Sequence, residues 1–523
     1  MRSGHPVIVD ARQETLENRL LRRVDWRWLL PAPFPARSVC FAVGDLAEAV
    51  RLISRCVLTP SDAAGGTCDL AVAVAPDAAQ LRAAYDALSA GGWCYSEWHS
   101  PLDGGLNRIR AQVESAGFEP PLCYWPRMGL HLPSAWMPVL ASGAAAAAHV
   151  GRMRAAGRGH WRIIVERLLR LVLRLGVVRP LCVLARKGGG EGDALPALIR
   201  ANWAAWGLGP TPDRLSCVLL TGGPGSTNKV VGLLFAEPSP TPRLVIKMAR
   251  TEQATDALRQ EARALDAIGR RHAGGVPGVP HLLFSGVYAG RWMLGQSVVS
   301  GRPLYTRLTT ATYRELALQT TDWLIALASH REVRAPDGAW RRVVESRLDE
   351  FEACFVKTVD RGLLRATRRC LAHLGELSLV PEQRDLWTGN LLLDDDGQLG
   401  VVDWEDAQPQ GLPAVDLVYF LTDLAFMHAR AYASGQFRPT YRATLDPATF
   451  VGCVRAECLT RYAAGIGLDP AALRPLSVLT WLPNAVWEKH HPAAALPRFL
   501  QLWEEDLRAD GATACGQSTA WSR

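Results

Sequence analysis

From Ser38 onward, short apolar runs alternate with stretches whose apolar residues recur at helical spacing. Val39-Cys40-Phe41-Ala42-Val43 predicts a buried strand, Leu46 to Cys56 a helix, and Leu70-Ala71-Val72-Ala73-Val74 a second strand. Asp77 is placed as the N-cap of a helix from Ala78 to Leu88, and Gly91-Gly92 turns the chain into a strand at Trp93–Glu97. A helix from Leu106 to Ala116 stops at Gly117, where a left-handed cap carries little strain, and leads to Leu122-Cys123-Tyr124-Trp125. Alternation of this kind predicts a parallel sheet covered by helices. Ahead of it, Leu16 to Trp26 reads as a short helix stopped by Pro31-Ala32-Pro33-Phe34-Pro35.

The pattern changes after Ala135. Ser142-Gly143 and the alanines from Ala144 to Ala148 read as a link, followed by an amphipathic helix from Trp161 to Leu175 with Arg167, Arg170 and Arg174 on one side. Gly188-Gly189-Gly190 marks a second boundary. Beyond it, Leu215–Thr221, Val230–Ala236 and Arg243–Lys247 predict three strands, the first two joined by the glycine-rich loop 222–228. A helix over Gln253–Arg271 follows, then strands at His281–Gly286 and from Trp292. Helices are expected at 313–328 and 341–355, and again at 417–433, 448–464 and 471–490. The domain reading is therefore 1–135, a linker 136–190, a second domain 191–510 and a disordered tail 511–523.

Composition and charge narrow the class. At 523 residues, with 48% apolar and 21% charged positions, the chain is globular and too long for one core. The net charge of +7 is local: Gly151 to Lys187 holds ten Lys or Arg against the single acid Glu166, and the rest of the chain is net −2. A basic segment confined in this way argues against a nucleic-acid partner, and leaves the basic helix either packing on a domain or touching an anionic membrane surface. Twelve cysteines without a C-x-x-C pair read as free thiols. With no apolar signal core at the N-terminus and no run of 18 apolar residues, the expected location is the cytoplasm.

The chemistry concentrates in Gln383-Arg384-Asp385-Leu386-Trp387-Thr388-Gly389-Asn390, which enters the strand Leu391–Leu393, turns at Asp395-Asp396-Gly397 and returns to Val401-Val402-Asp403-Trp404-Glu405. In this loop, strand, turn and strand unit, Asp385 is placed to orient a hydroxyl and take its proton. Asn390 and Asp403 offer oxygens to a magnesium ion bridging nucleotide phosphates. Upstream, the loop with Gly223, Gly225 and Ser226 covers phosphates, Lys247 ends an apolar strand as a phosphate contact, and Glu261, fourteen residues on, pairs with it. Asp423, Glu457, Glu488 and Glu504-Glu505-Asp506 are candidate contacts for a cationic acceptor, with ordinary surface acids the favoured reading; Trp481 and Trp487 are candidate stacking residues.

These residues, over 205 to 505, resemble the aminoglycoside phosphotransferase family, which has the protein-kinase-like fold. The resemblance implies an α+β two-lobed domain, ATP and Mg2+ as cofactors, and transfer of the γ-phosphoryl group to a small-molecule hydroxyl of the aminoglycoside, sugar or amino alcohol class. It implies adenine contacts near Gln296 and Val298, a metal-assisting Glu405, and a helix-start acid at Asp416. Gln383-Arg384 departs from the family's His-Gly, and Gln retains the capacity to donate and accept. The stretches Cys68-Asp69-Leu70, Gly91-Gly92 and Ala116-Gly117-Phe118 loosely resemble an S-adenosylmethionine-dependent methyltransferase, implying a degenerate α/β Rossmann-like N-terminal domain. The rival readings are a nucleotide-binding pseudokinase scaffold and a bifunctional protein with a live methyltransferase half.

Overall fold

A computed structural model describes residues 15–99, 105–127, 129–130, 133–139, 180–189, 194–222, 229–272, 275–288, 291–329, 338–490 and 498–513. The chain forms two compact units, residues 11–262 with 282–298 and residues 263–281 with 299–523.

The first unit opens with α1 (Leu16–Arg23), where Thr15 accepts from the Asn18 N–H, and a 3-10 turn over Asp25–Leu29. β1 (Arg37–Cys40), α2 (Asp45–Ile53), β2 (Cys56–Leu58), β3 (Cys68–Val74), α3 (Ala78–Ala87), β4 (Leu88–Trp98), α4 (Leu106–Ser115) and β5 (Leu122–Arg127) follow. The expected cap of α3 is a full capping box, with Asp77 accepting from Gln80 N–H at 2.7 Å and Gln80 accepting from Asp77 N–H at 3.2 Å. β6 (Ala135–Pro138), β7 (Leu181–Arg186), α5 (Leu195–Asn202), β8 (Leu215–Leu220), β9 (Lys229–Ala236), β10 (Leu244–Ala249), α6 (Glu252–Arg271, up to Ala262 in this unit), β11 (Leu282–Tyr288) and β12 (Arg291–Gln296) complete it.

All twelve strands make one sheet, in the order β11-β12-β10-β9-β8-β6-β5-β7-β4-β3-β1-β2. β2, β1, β3 and β4 run parallel; the alternation predicts β1, β3 and β4, while Cys56–Leu58, where the expected helix ends at Cys56, adds the edge strand β2. β7 then lies antiparallel between β4 and β5, and from there to β11 every neighbouring pair is antiparallel. Side chains alternate between the two faces of a strand, so each strand feeds two cores. Leu70, Val72 and Tyr95 join Trp26, Trp28, Leu46 and Val50 on one face, while Ala71 and Cys94 join Leu81, Ala84, Ile109 and Val113 on the other. β7 falls inside the span expected as a linker. Its apolar run Leu181–Ala185 abuts the basic segment, and the long-range partners that make it a central strand leave no local trace.

The second unit is mainly helical. It holds α7 (Tyr313–Ala328), α8 (Ala339–Phe355), α9 (Arg361–Ala372), α10 (Val415–His428), α11 (Ala431–Ser434), α12 (Phe437–Leu445), α13 (Phe450–Ile466), α14 (Leu473–His490) and α15 (Arg498–Thr513). Its strands are β13 (Arg302–Pro303), β14 (Val380–Glu382), β15 (Leu391–Leu393), β16 (Leu399–Val401) and β17 (Gln408–Gly411), paired as β13-β15-β16 and β14-β17. Gly278, at φ +81°, is pressed on β16: a Cβ there would lie 2.1 Å from Leu399 O, and Val401 N–H donates to Gly278 O at 2.8 Å. α15 carries the chain to Thr513, past the expected start of the tail. The basic helix 161–175 and the alanine run lie outside the described residues.

Candidate active site

In the first unit the residues proposed to hold nucleotide sit on adjoining antiparallel strands. β8 and β9 pair from Leu215↔Ala236 to Leu220↔Val231, which puts Gly222 and Lys229 at their shared end; Gly223, Gly225 and Ser226 lie outside the described residues. On β10, Ile246 and Met248 face the core that contains Trp26, so Lys247 between them points to the other face. There α6 lays down Ala254, Leu258 and Ala262 against Ala249 and Leu294, and Glu261 comes from the same stripe of the helix. Lys247 and Glu261 form an ion pair with exposures of 4% and 0%. Removing one partner of such a pair leaves an uncompensated buried charge, at a cost of about 3–5 kcal/mol. Gln296 closes β12, buried, with its Oε1 lacking a hydrogen-bond partner; Val298 follows, half-buried.

In the second unit β15 and β16 pair from Leu391↔Val401 to Leu393↔Leu399, and Val402 N–H donates to Asn390 O at 2.9 Å. Asn390 and Asp403 therefore stand at one end of a two-stranded ribbon. Asn390 Nδ2 donates to both the Asp385 carbonyl and Asp385 Oδ2 at 3.0 Å, fixing the carboxylate to the loop. Gln383, fully buried, donates from Nε2 to Asp403 O at 2.6 Å and Val402 O at 3.3 Å, and its Oε1 accepts from Asp385 N–H at 2.8 Å. One amide thus joins the two aspartates' backbones. Arg384 and Asp403 occupy left-handed conformations, φ 71° and φ 67°. A residue with a Cβ pays strain there, and its surroundings must impose the shape. Glu405 is buried after Trp404, whose Nε1 donates to Val401 O at 3.0 Å.

Asp416 differs from expectation. Its carboxylate serves the loop rather than the start of α10, accepting from Gln383 N–H at 2.6 Å and Arg384 N–H at 2.9 Å. Burial, and then the nearby Glu382 carboxylate, push it up to about 7, against the pull of those two N–H groups. Glu382 is itself held by Arg347 Nη2 at 2.6 and 2.9 Å and by Leu412 N–H at 3.0 Å. A further clasp went unread in the sequence: Thr388 N–H and Oγ1 both donate to Asp423 Oδ2 at 2.8 Å, and Tyr432 donates to Asp423 Oδ1. Burial raises Asp423 above the usual carboxylate range.

The other acids suggested for a cationic acceptor have internal partners. Glu457 takes Arg314, Glu488 accepts from Phe499 N–H at 2.8 Å, and Glu504 lies 3.3 Å from Arg508. Glu505 takes Arg438 and Arg442, while Asp506 accepts from Tyr441, Ser477 and Trp481. Trp481 is a core residue, and Trp487 is half-buried. A groove of about 620 Å³ in this unit is lined by Arg270, Arg271, Pro381, Gln408, Pro409 and Gln410, and includes neither Asp385 nor Asp403. Among the described residues no three His, Cys, Asp or Glu side chains group as a metal cage, and no helix is long and apolar enough to cross a membrane.

Among solved structures, the aminoglycoside phosphotransferase APH(4)-Ia matches at 15% identity and TM-score 0.38, over 61% of this chain and 100% of its own. The GDP and kanamycin complex of an APH(2")-type enzyme matches at 14% and 0.37, over 61% and 98%. Choline kinase LicA from Streptococcus pneumoniae matches at 13% and 0.35, over 54% and 89%. No curated protein matches the sequence. The family model described as the phosphotransferase enzyme family matches residues 233–450, a span that contains Lys247, Glu261, Asp385, Asn390 and Asp403. That segment of the chain, from β9 into α13, is thus similar to the phosphotransferase enzyme family.

Proposed function

We propose that the protein is an ATP- and Mg2+-dependent kinase that phosphorylates a hydroxyl of a small molecule, of the aminoglycoside, sugar or amino alcohol class. The observation that carries the reading is the Gln383 amide, which ties the Asp385 loop to Asp403 while Asn390 fixes the Asp385 carboxylate. In this scheme Asp385 orients the acceptor hydroxyl and takes its proton as the oxygen bonds to the γ-phosphorus and ADP leaves. Lys247, held by Glu261, contacts the phosphates, together with the loop of Gly223, Gly225 and Ser226. Gln296 and Val298 lie along the adenine, and the partnerless Gln296 Oε1 supports a polar ligand there.

Asn390 and Asp403 supply one amide oxygen and one carboxylate at the end of the same ribbon, with Glu405 two residues on. This hard-oxygen set is too small for an all-protein cage and fits Mg2+, which takes one or two carboxylates and completes its shell with phosphates and water. Bound there, the ion would neutralise phosphate charge. For the N-terminal strands we infer a scaffolding role, since the turn after β1, Phe41-Ala42-Val43-Gly44, has one glycine where a cofactor loop needs several.

ATP consumption by purified protein over a panel of amino sugars, sugars and amino alcohols tests the reading. Turnover with at least one acceptor is expected, falling about 100-fold or more in Asp385→Asn, the scale of a lost general base. Turnover indifferent to that substitution, or ATP binding without turnover on any acceptor, would replace it with a pseudokinase.

A further inference from the structure

The end of β8 at Thr221 and the end of the lysine strand are pinned by residues from the N-terminal part of the chain, Asp25, Arg27, Pro133 and Ser134. Arg250 follows β10, three residues after Lys247, and is 1% exposed. Its Nη2 donates to Asp25 Oδ2 at 2.9 Å and to Thr221 O at 3.2 Å, and its Nε to Asp25 Oδ1 at 3.2 Å. Asp25 also accepts from Arg27 Nη1 at 3.2 Å, and Arg27 Nη2 donates back to Arg250 O at 3.1 Å. Asp25 and Arg27 are both wholly buried. Thr221, the residue before Gly222, is held a second time: its N–H donates to Ser134 O at 3.1 Å and its Oγ1 to Pro133 O at 2.7 Å. Next to it, β6 pairs with β8 through Ala135↔Leu220 and Trp136↔Leu219.

Two guanidinium groups buried around one carboxylate are an expensive way to hold a fold together, since well-packed apolar side chains often do as well or better. What the forked geometry adds is direction: one Arg250 side chain fixes the strand end after Lys247 and the carbonyl where the glycine loop leaves β8. Arg250 lies inside the matched segment 233–450, while Asp25, Arg27, Pro133 and Ser134 lie outside it.

We infer that Arg250 is a positioning residue for nucleotide, through which Asp25 and the N-terminal strands set the placing of Lys247 and of the end of β8 at Thr221. The N-terminal sheet is then a working part of the nucleotide site. This rests on the kinase reading above.

The test uses the full chain and calorimetric titration with ATP and Mg2+, with thermal unfolding alongside. Arg250→Lys keeps the buried positive charge facing Asp25 and loses the fork. It is expected to raise the Kd for ATP about tenfold, the scale of one charge-assisted hydrogen bond. Arg23→Lys loosens another buried pair of this unit, with Glu97 at 2.5 Å, and is expected to leave that Kd within about twofold despite a comparable fall in Tm. Thr221→Val, which removes only the bond to Pro133 O, is the gentler variant should Arg250→Lys fail to fold, with about threefold weaker binding expected. Unchanged ATP affinity in the folded Thr221 and Arg250 variants overturns the inference, as does equal weakening in Arg23→Lys. Wild-type protein that binds no ATP overturns the kinase reading first and the inference with it.

Discussion

At residue scale the loop around Asp385 is held by groups that carry no chemistry themselves. Gln383 meets the Asp385 N–H and the Asp403 carbonyl at once, the donor and acceptor capacity that made Gln an acceptable replacement. Arg384 is less comfortable, since φ 71° suits a glycine, and Asp416 pins its N–H where it lies. Asp416 gives a pH signature. Folded, it keeps its proton to about pH 7, while the unfolded chain releases it near pH 4. Between those values the folded state binds more protons, so its stabilising contribution is complete below about pH 4 and is lost as pH rises to about 7. The stability of wild type minus that of Asp416→Asn should therefore fall over this window in denaturant titrations, and a flat difference would contradict the assignment. Asp385, Asn390 and Asp403 were legible because they share one short loop and ribbon. Thr388 with Asp423, and Arg347 with Glu382, were not, because 35 residues separate the partners of each pair.

At the scale of elements, periodicity found the parallel strands β1, β3 and β4 and their helices, because each of those elements carries its own apolar pattern. β2, three residues long, and β7, beside a basic stretch, were lost because their pairing is decided by strands far off in sequence. The contact of Gly278 with β16 was invisible for the same reason. Gly278→Ala combines a left-handed backbone with an overlap on the Leu399 carbonyl and is expected to cost about 2 kcal/mol or more, read as a drop in denaturant midpoint. A midpoint unmoved by the added methyl group would show that the segment 275–281 shifts freely.

At the scale of the whole molecule, the boundary expected near residue 190 crosses a continuous sheet. β8 pairs with β6, and Leu219 shares a core with Trp26, Trp28 and Tyr95. A fragment beginning at residue 191 would bare the β8 edge and that apolar face together, and is expected to aggregate on expression. A monomeric, cooperatively unfolding fragment on size exclusion would contradict this. The sequence kept the join hidden because two registered residue pairs make it, and neither strand signals its neighbour.

The place of β7 between β4 and β5 bears on how the protein is made. Residues 88–98 and 122–127 leave the ribosome well before 181–186, yet they bond to that later strand and not to each other. Until it arrives, the nascent chain carries two open strand edges through more than fifty residues of synthesis, the interval in which chaperone capture or mispairing with another chain competes with closure.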